Sequence, residues 1–278
     1  RAYVSGSFRT MNGLNSPGIA RFLASGEIDP TFLSGLTPGD TVYAVAPVPG
    51  GGVYVGGNFT EFLLNGRATR HLARLTDTGA LDPAFDPRGG ANNYVELLHR
   101  LADGRVLVAG NFTAIASAPR SGLVRFLPDG SLDPTFNNIA VGSVSDLEVL
   151  PDGRLLIAHQ SSSVDGLARP GMTRLSADGV VDLAFLMDRT VIERPFDIVL
   201  RPDGRIVATG LRYVNNANRY FLAQFLADGS LDPSFDSSRE FFNVAFNGTV
   251  SQGSTTSLFA DPDGDLFVLG NFNRIDDG

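Results

Sequence analysis

Four arginine–aspartate pairs stand eight residues apart along the chain: Arg21/Asp29, Arg74/Asp82, Arg125/Asp133 and Arg174/Asp182. A fifth such position carries Gln224 before Asp232. A carboxylate held by a guanidinium can act as a catalytic acid or base, or as a cross-strand ion pair that fixes two β-strands. Recurrence favours the second, because a residue repeated in every unit serves the unit, while an active site is made once. Other chemistry has little to start from. His71, His99 and His159 fall at different repeat phases and make no metal or catalytic set. There is no HExxH, GxSxG, Walker loop or dinucleotide fingerprint. The absence of cysteine excludes disulfides and thiol catalysis. All 22 basic residues are arginine, which excludes Schiff-base lysine chemistry. The chain therefore reads as non-enzymatic and without a cofactor. Asp-rich turns such as Asp129 to Asp133 leave calcium open, but they offer few of the about 6–8 oxygen ligands it needs.

The pairs sit inside a larger repeat. Ile28-Asp29-Pro30-Thr31-Phe32 returns as Leu81-Asp82-Pro83-Ala84-Phe85, Leu132-Asp133-Pro134-Thr135-Phe136, Val181-Asp182-Leu183-Ala184-Phe185 and Leu231-Asp232-Pro233-Ser234-Phe235. The repeat marks near 29, 82, 133, 182 and 232 are separated by 53, 51, 49 and 50 residues. Asp103-Gly104-Arg105, Asp152-Gly153-Arg154 and Asp203-Gly204-Arg205 keep the same beat, as do Gly57-Asn58-Phe59 and Gly110-Asn111-Phe112. A period of about 50 residues means a solenoid, a propeller or an array. With 43% hydrophobic residues, 32 Gly and 16 Pro, the chain can fill a core with many short strands. No run of about 18 apolar residues occurs, so no membrane span is expected. The net charge of −8 argues against nucleic acid as a partner.

Each repeat reads as four strands. In the fourth, Val144 to Leu150 alternates, Leu155 to Ala158 is a buried apolar run, Met172 to Ala177 follows a variable loop, and Val180 to Phe185 is a short last strand. Proline cannot adopt the positive φ of a two-residue hairpin turn. Leu127-Pro128-Asp129-Gly130-Ser131 therefore predicts a three-residue loop with Gly130 in the left-handed position. In that register Phe126 faces Leu132, and Arg125 faces Asp133. Four antiparallel strands per repeat predict an all-β fold: a β-propeller of about five to six blades, forming a single domain over residues 1–278 or part of a larger ring. The chain opens at Arg1 in mid-repeat, which reads as a piece of a larger polypeptide.

The joint motif Asp-Gly-Ser-Leu-Asp-Pro-x-Phe, with Pro-Asp-Gly-Arg and Gly-Asn-Phe-Thr, resembles the delta-60 repeat, and the resemblance covers all five repeats. It implies a propeller-like fold in a bacterial secreted or cell-surface protein, and no shared activity or ligand. The repeat ending at Phe185 departs from the motif, with Leu183 for proline and Ala158-His159-Gln160 for Gly-Asn-Phe.

Binding is expected on the variable connections. Arg70, Arg120, Arg169 and Arg219 recur at steps of 50, 49 and 50, with Arg67 nearby. They could collar a channel mouth and take an acidic glycan or a protein carboxylate. The last inter-repeat linker is longer than the others and carries Phe241, Phe242 and Phe246. They read as a loop that plugs a channel, covers a strand edge or makes a contact patch. The main reading is an extracellular binding or scaffold module. The rivals are a glycan hydrolase or lyase, which would show paired carboxylates about 5–10 Å apart, and a structural spacer or assembly subunit.

Overall fold

The structure, a computed structural model, describes residues 1–60, 62–64, 67–244, 250–261 and 263–276. Every regular element among them is a β-strand, and no helix is long and apolar enough to cross a membrane. The chain forms two compact bodies, Arg1–Ser143 and Val144–Gly278.

In the first body, Thr41–Pro47, Val53–Asn58 and Leu72–Leu75 make one antiparallel sheet, and Val95–Arg100, Val106–Gly110 and Leu123–Phe126 make the next. Ala2–Ser5 pairs with Ile19–Phe22 before them. In the second body the sheets are Val144–Val149, Leu155–His159 and Gly171–Leu175, then Arg194–Leu200, Ile206–Val214 and Ala217–Phe225. Ser254–Ala260 and Leu266–Asn271 open a further repeat. The middle strands are apolar because both faces are covered: Val106–Gly110 and Leu155–His159 are buried throughout. The short fourth strand of each repeat is one bridge long: Phe22↔Ile28, Leu75↔Leu81, Phe126↔Leu132, Leu175↔Val181 and Phe225↔Leu231.

The turn chemistry sets this register. Leu127 N donates to Ser131 O at 2.8 Å, Gly130 N donates to Leu127 O at 3.0 Å, and Gly130 has φ 87°. Beyond the turn, the motif phenylalanine is driven into the core. Phe85 is fully buried between Tyr54 and Phe126, with ring centroids 5.0 and 6.0 Å away, and burying such a ring contributes about 1.5–3 kcal/mol.

Two local features differ from the expected frame. The connection between second and third strands is a small hairpin rather than an irregular loop: Thr10–Met11 with Leu14–Asn15, Ala114–Ile115 with Ala118–Pro119, and Ser163–Val164 with Leu167–Ala168. Their two-residue turns hold positive φ at both positions, 52° and 61° at Ala116 and Ser117, 51° and 76° at Asp165 and Gly166. The Phe-rich linker also departs from a loop, since Glu240–Val244 is a strand paired with Val250–Gln252 and Arg274–Asp276.

Glycine recurs where second and third strands meet. Gly18, Gly122 and Gly171 have φ of 70°, 79° and 92°, and His71 takes the equivalent place at φ 63°. A Cβ on Gly122 would stand 1.8 Å from Gly142 O. Gly122→Ala is therefore expected to cost about 2–5 kcal/mol, the left-handed strain and the backbone clash together, read as a lower urea midpoint with an unchanged slope. The facing position is glycine at 57, 110, 210 and 270, and the register puts His159 there, so His159 and not Ala158 replaces the motif glycine.

Candidate functional site

The repeated Arg–Asp pairs are hubs of packing. Asp133 accepts from Arg125 Nε at 2.7 Å, Arg105 NH1 at 3.1 Å, Thr135 N at 2.9 Å and Thr135 Oγ1 at 2.7 Å. Burial pushes the Asp133 carboxyl up, but the bonds from Thr135, Arg125 and Arg105 outweigh it and hold the group well below the carboxylate range. At Asp29 the bonds from Thr31, then from Arg21, hold the carboxyl at about 2. The arginines also reach forward to the next repeat's turn: Arg21 to Asp77 O at 2.5 Å and Arg74 to Pro128 O at 2.8 Å. Each guanidinium is stacked as well, Arg125 lying 4.9 Å from the Phe136 centroid. Asp29 and Asp133 are buried in these contacts, while Asp82 and Asp182 remain 23% and 22% exposed.

A second set of carboxylates is not repeated throughout. Each first strand carries a bulge, and the residue after it is Ala44, Leu97, Asp146, Asp197 or Ser257. Asp197 stands close enough to Asp146 for its charge to act on that carboxyl. Asp146 Oδ1 accepts from Leu147 N and its Oδ2 from Ile198 N, both at 2.8 Å, while Asp197 Oδ2 accepts from Leu258 N at 2.8 Å. The pair thus straps Val144–Val149 to Arg194–Leu200, and that strand to Ser254–Ala260. Burial first, then the neighbouring Asp197, raises the Asp146 carboxyl far above its ordinary range. Burial and the charge of Asp197 push Glu148 up to about 7. Both carboxylates are committed to backbone N–H groups that tie the strands together.

The first body holds a recess of different character. The linker Asp86 to Asn92 is clamped between Arg70 and the hairpin of the third repeat. Arg70 N donates to Gly89 O at 3.2 Å, Ala91 N to Arg70 O at 3.0 Å, and Ala116 N to Gly90 O at 2.9 Å. A Cβ on Gly90 would lie 2.0 Å from Arg70 O, so only glycine fits. Arg88, Gly89 and Gly90 all have positive φ: 48°, 97° and 75°. Asp86 Oδ1 fixes Arg88 by accepting its N–H at 2.8 Å, and Ser117 Oγ donates to Arg88 O at 3.2 Å. Two hollows of about 340 and 740 Å³ share Ala68, Arg88, Gly89 and Ser117 in their walls. Arg70 and Asn92 line the first, Asp86 the second. Arg70 and Arg88 are both exposed. Such a hollow offers two guanidinium forks for a carboxylate and Asn92, Ser117 and Asp86 for hydroxyls.

The residues singled out in the sequence are placed as follows. Arg67 opens the strand Arg67–Thr69, one strand of the hairpin that leads to Arg70. Arg120 is half-buried in the third repeat, its N–H donating to Thr113 O at 3.1 Å. Arg169 and Arg219 belong to the second body. Arg169 donates to Ala168 O, and Arg219 is ion-paired with Glu240 at 2.7 Å. Phe241 is buried against Phe272, with centroids 4.8 Å apart, and Phe242 is half-buried. Phe246 lies outside the described residues. Arg88 escaped notice because it stands in a linker. The signal was the Arg88-Gly89-Gly90 run, which marks left-handed backbone.

Among solved structures, the fold is similar to PorZ, a surface component of the type-IX secretion system of Porphyromonas gingivalis. Identity is 13% over 88% of this chain and 34% of that one, with a TM-score of 0.46. The extracellular domain of a proposed one component system from B. thetaiotaomicron is 10% identical over 90% of this chain and 34% of its own, with a TM-score of 0.45. An endo-1,5-α-L-arabinanase from Thermotoga petrophila is 11% identical over 89% of this chain and 71% of that one, with a TM-score of 0.34. The chain spans about a third of the length of the first two. None of these likenesses bears on what it does. No curated protein matches the sequence. The model of the family described as a domain of unknown function (DUF5122) beta-propeller matches residues 3–32, 51–85, 101–136, 150–185 and 201–235. With more than half of its length matched in five successive repeats, the chain is a β-propeller protein of the DUF5122 family.

Proposed function

We propose that this chain is a non-enzymatic binding module that takes the carboxylate of an acidic glycan in the recess of Arg70 and Arg88. The carrying observation is the clamped linker, which holds an arginine at positive φ with its side chain exposed above a hollow. A non-glycine residue in that region costs about 1–3 kcal/mol and is kept where the surroundings enforce it. The polar groups around it suit sugar hydroxyls. The resemblance of the motifs to the delta-60 repeat supports a site outside the cell or at its surface. A hydrolase is disfavoured because the unrepeated carboxylates Asp146 and Asp197 are taken up by backbone N–H donors.

Titration calorimetry with a uronic-acid oligosaccharide tests the reading. Saturable binding is expected, with Arg70→Ala and Arg88→Gly each weakening it about tenfold or more. Arg88→Gly relieves the left-handed strain, so lost binding in that variant cannot be assigned to misfolding. Equal affinity of both variants and the parent chain would sink the proposal.

A further inference from the structure

Two tyrosines of the first body break the repeat at the head of the first strands. The bulge residue of successive repeats is Tyr43, Glu96, Ser145, Phe196 and Thr256. Two positions before it stand Thr41, Tyr94, Ser143, Arg194 and Ser254. Tyr43 and Tyr94 therefore come from different positions of neighbouring repeats, and they meet. Their ring centroids are 6.0 Å apart with the planes at 69°, an edge-to-face pair. They are 46% and 37% exposed, and neither hydroxyl has a partner among the described residues. Phe196, the other aromatic of the series, is instead half-buried and packed on Tyr220 at 5.9 Å. The exposure of Tyr43 does not come from a missing strand, because Thr41–Pro47 packs between Ala2–Ser5 and Val95–Arg100.

The pair is held rigidly. Asn111 N donates to Tyr94 O at 3.0 Å, and Tyr94 N donates to Asn93 Oδ1 at 2.9 Å. A Cβ on Gly110 would stand 2.2 Å from Tyr94 O, so the second strand must bring glycine here. The Tyr94 ring lies 5.6 Å from the ring of His71. His71 is buried, packs on Phe59 at 6.4 Å and has Nδ1 3.0 Å from Gly57 O. It also holds φ 63° where other repeats carry Gly18, Gly122 and Gly171. A side chain kept at such a φ costs about 1–3 kcal/mol and persists where it has a task. Here its ring supports the ring of Tyr94.

The chemistry of the patch selects its ligand. Exposed tyrosine rings offer apolar faces that fit the C–H face of a pyranose, and their hydroxyls can donate to and accept from sugar hydroxyls. Glu96 follows Tyr94 by two residues, and burial pushes its carboxyl up with no cation offsetting the effect. A carboxylate ligand would find no counter-charge beside it. We propose that Tyr43 and Tyr94 form a stacking platform for a neutral pyranose of a glycan chain, a second binding site of the first body. Stacking supplies the affinity, and the paired rings fix the orientation of the sugar.

The chain has six tyrosines and no tryptophan, so tyrosine carries its fluorescence. The test is a tyrosine-fluorescence titration with cellohexaose, xylohexaose and maltohexaose, all free of uronate and so independent of the arginine recess. Saturable change with at least one of them is expected. Tyr43→Ala and Tyr94→Leu should each weaken it about tenfold or more. Leucine keeps an apolar group against His71, and circular dichroism checks the fold of both variants. Tyr213→Ala, which removes a tyrosine 59% exposed in the second body, should leave the affinity unchanged. Three outcomes overturn the inference: no saturation by any of the sugars up to about 10 mM, equal binding by Tyr43→Ala and the parent chain, or saturation by a proline decamer and by none of the sugars.

Discussion

Asp133→Ala is expected to destabilise the first body by about 3–5 kcal/mol, because it takes one partner from a buried ion pair. Arg125 is 1% exposed and Asp133 3% exposed on their side chains. Removing Asp133 deletes the acceptor of Arg125 Nε, Arg105 NH1 and both Thr135 donors. The buried Arg125 then loses the carboxylate that holds its Nε and lies across from its strand. Arg125→Ala should cost a similar amount, since it leaves the carboxylate buried. The double replacement Arg125→Met with Asp133→Leu should recover part of either loss, because apolar groups need no partner. Asp82 and Arg74 supply the contrast, at 23% and 13% exposed. Asp82→Ala should therefore cost less, about 1–3 kcal/mol. Urea titrations of the four variants read the ranking. Equal losses at positions 82 and 133 would contradict burial as the cause.

Acidification is expected to pull stability in two directions, separable by two variants. Burial depresses the His159 imidazole from 6.5 to about 4. The ring is wholly buried, with Nε2 at 2.9 Å from Thr173 Oγ1. An imidazole kept neutral in the fold stabilises above the unfolded value, and that contribution is lost as pH falls from 6.5 to 4. The loss is about 3 kcal/mol at pH 4. Burial also lowers His71 and His99, adding in the same sense. Asp146 and Glu148 act oppositely. Their folded values are raised, so the fold prefers them protonated, and stability falls as pH rises through about 7. In the parent chain the two trends partly cancel between pH 4.5 and 7. Asp197→Asn keeps an acceptor for Leu258 N and turns an amide donor toward Asp146. That variant should gain about 1–2 kcal/mol at pH 8 and lose stability steadily on acidification. His159→Gln should show the reverse slope, with stability rising as pH falls from 7 to 5. Parallel pH profiles for the two variants would refute the assignment.

The register of the last hairpin in each repeat was legible because proline and glycine leave one workable turn at Pro128-Asp129-Gly130. The Arg–Asp offset follows from that turn alone. The small hairpins were less visible. Asn12-Gly13 and Asp165-Gly166 signal two-residue turns, but Ala116-Ser117 adopts the same backbone without that composition. Its conformation comes from packing against Gly90, not from local preference. Asp146 and Asp197 lie one repeat apart, yet the bulge before each shifts the alternation by one residue. A phase read from sequence cannot carry across it. The recess was half legible. Arg70 stood out by its period, while Arg88 is brought beside it only by the clamp between Arg70 and the third repeat.

The binding claim is met most directly by an ¹⁵N-resolved NMR titration of the chain with a uronic-acid oligosaccharide. The account predicts saturable shifts confined to Arg70, Arg88, Gly89, Gly90, Asn92 and Ser117, and their loss in Arg88→Gly. Shifts centred on Asp146 and Asp197, or none at saturating sugar, would contradict it.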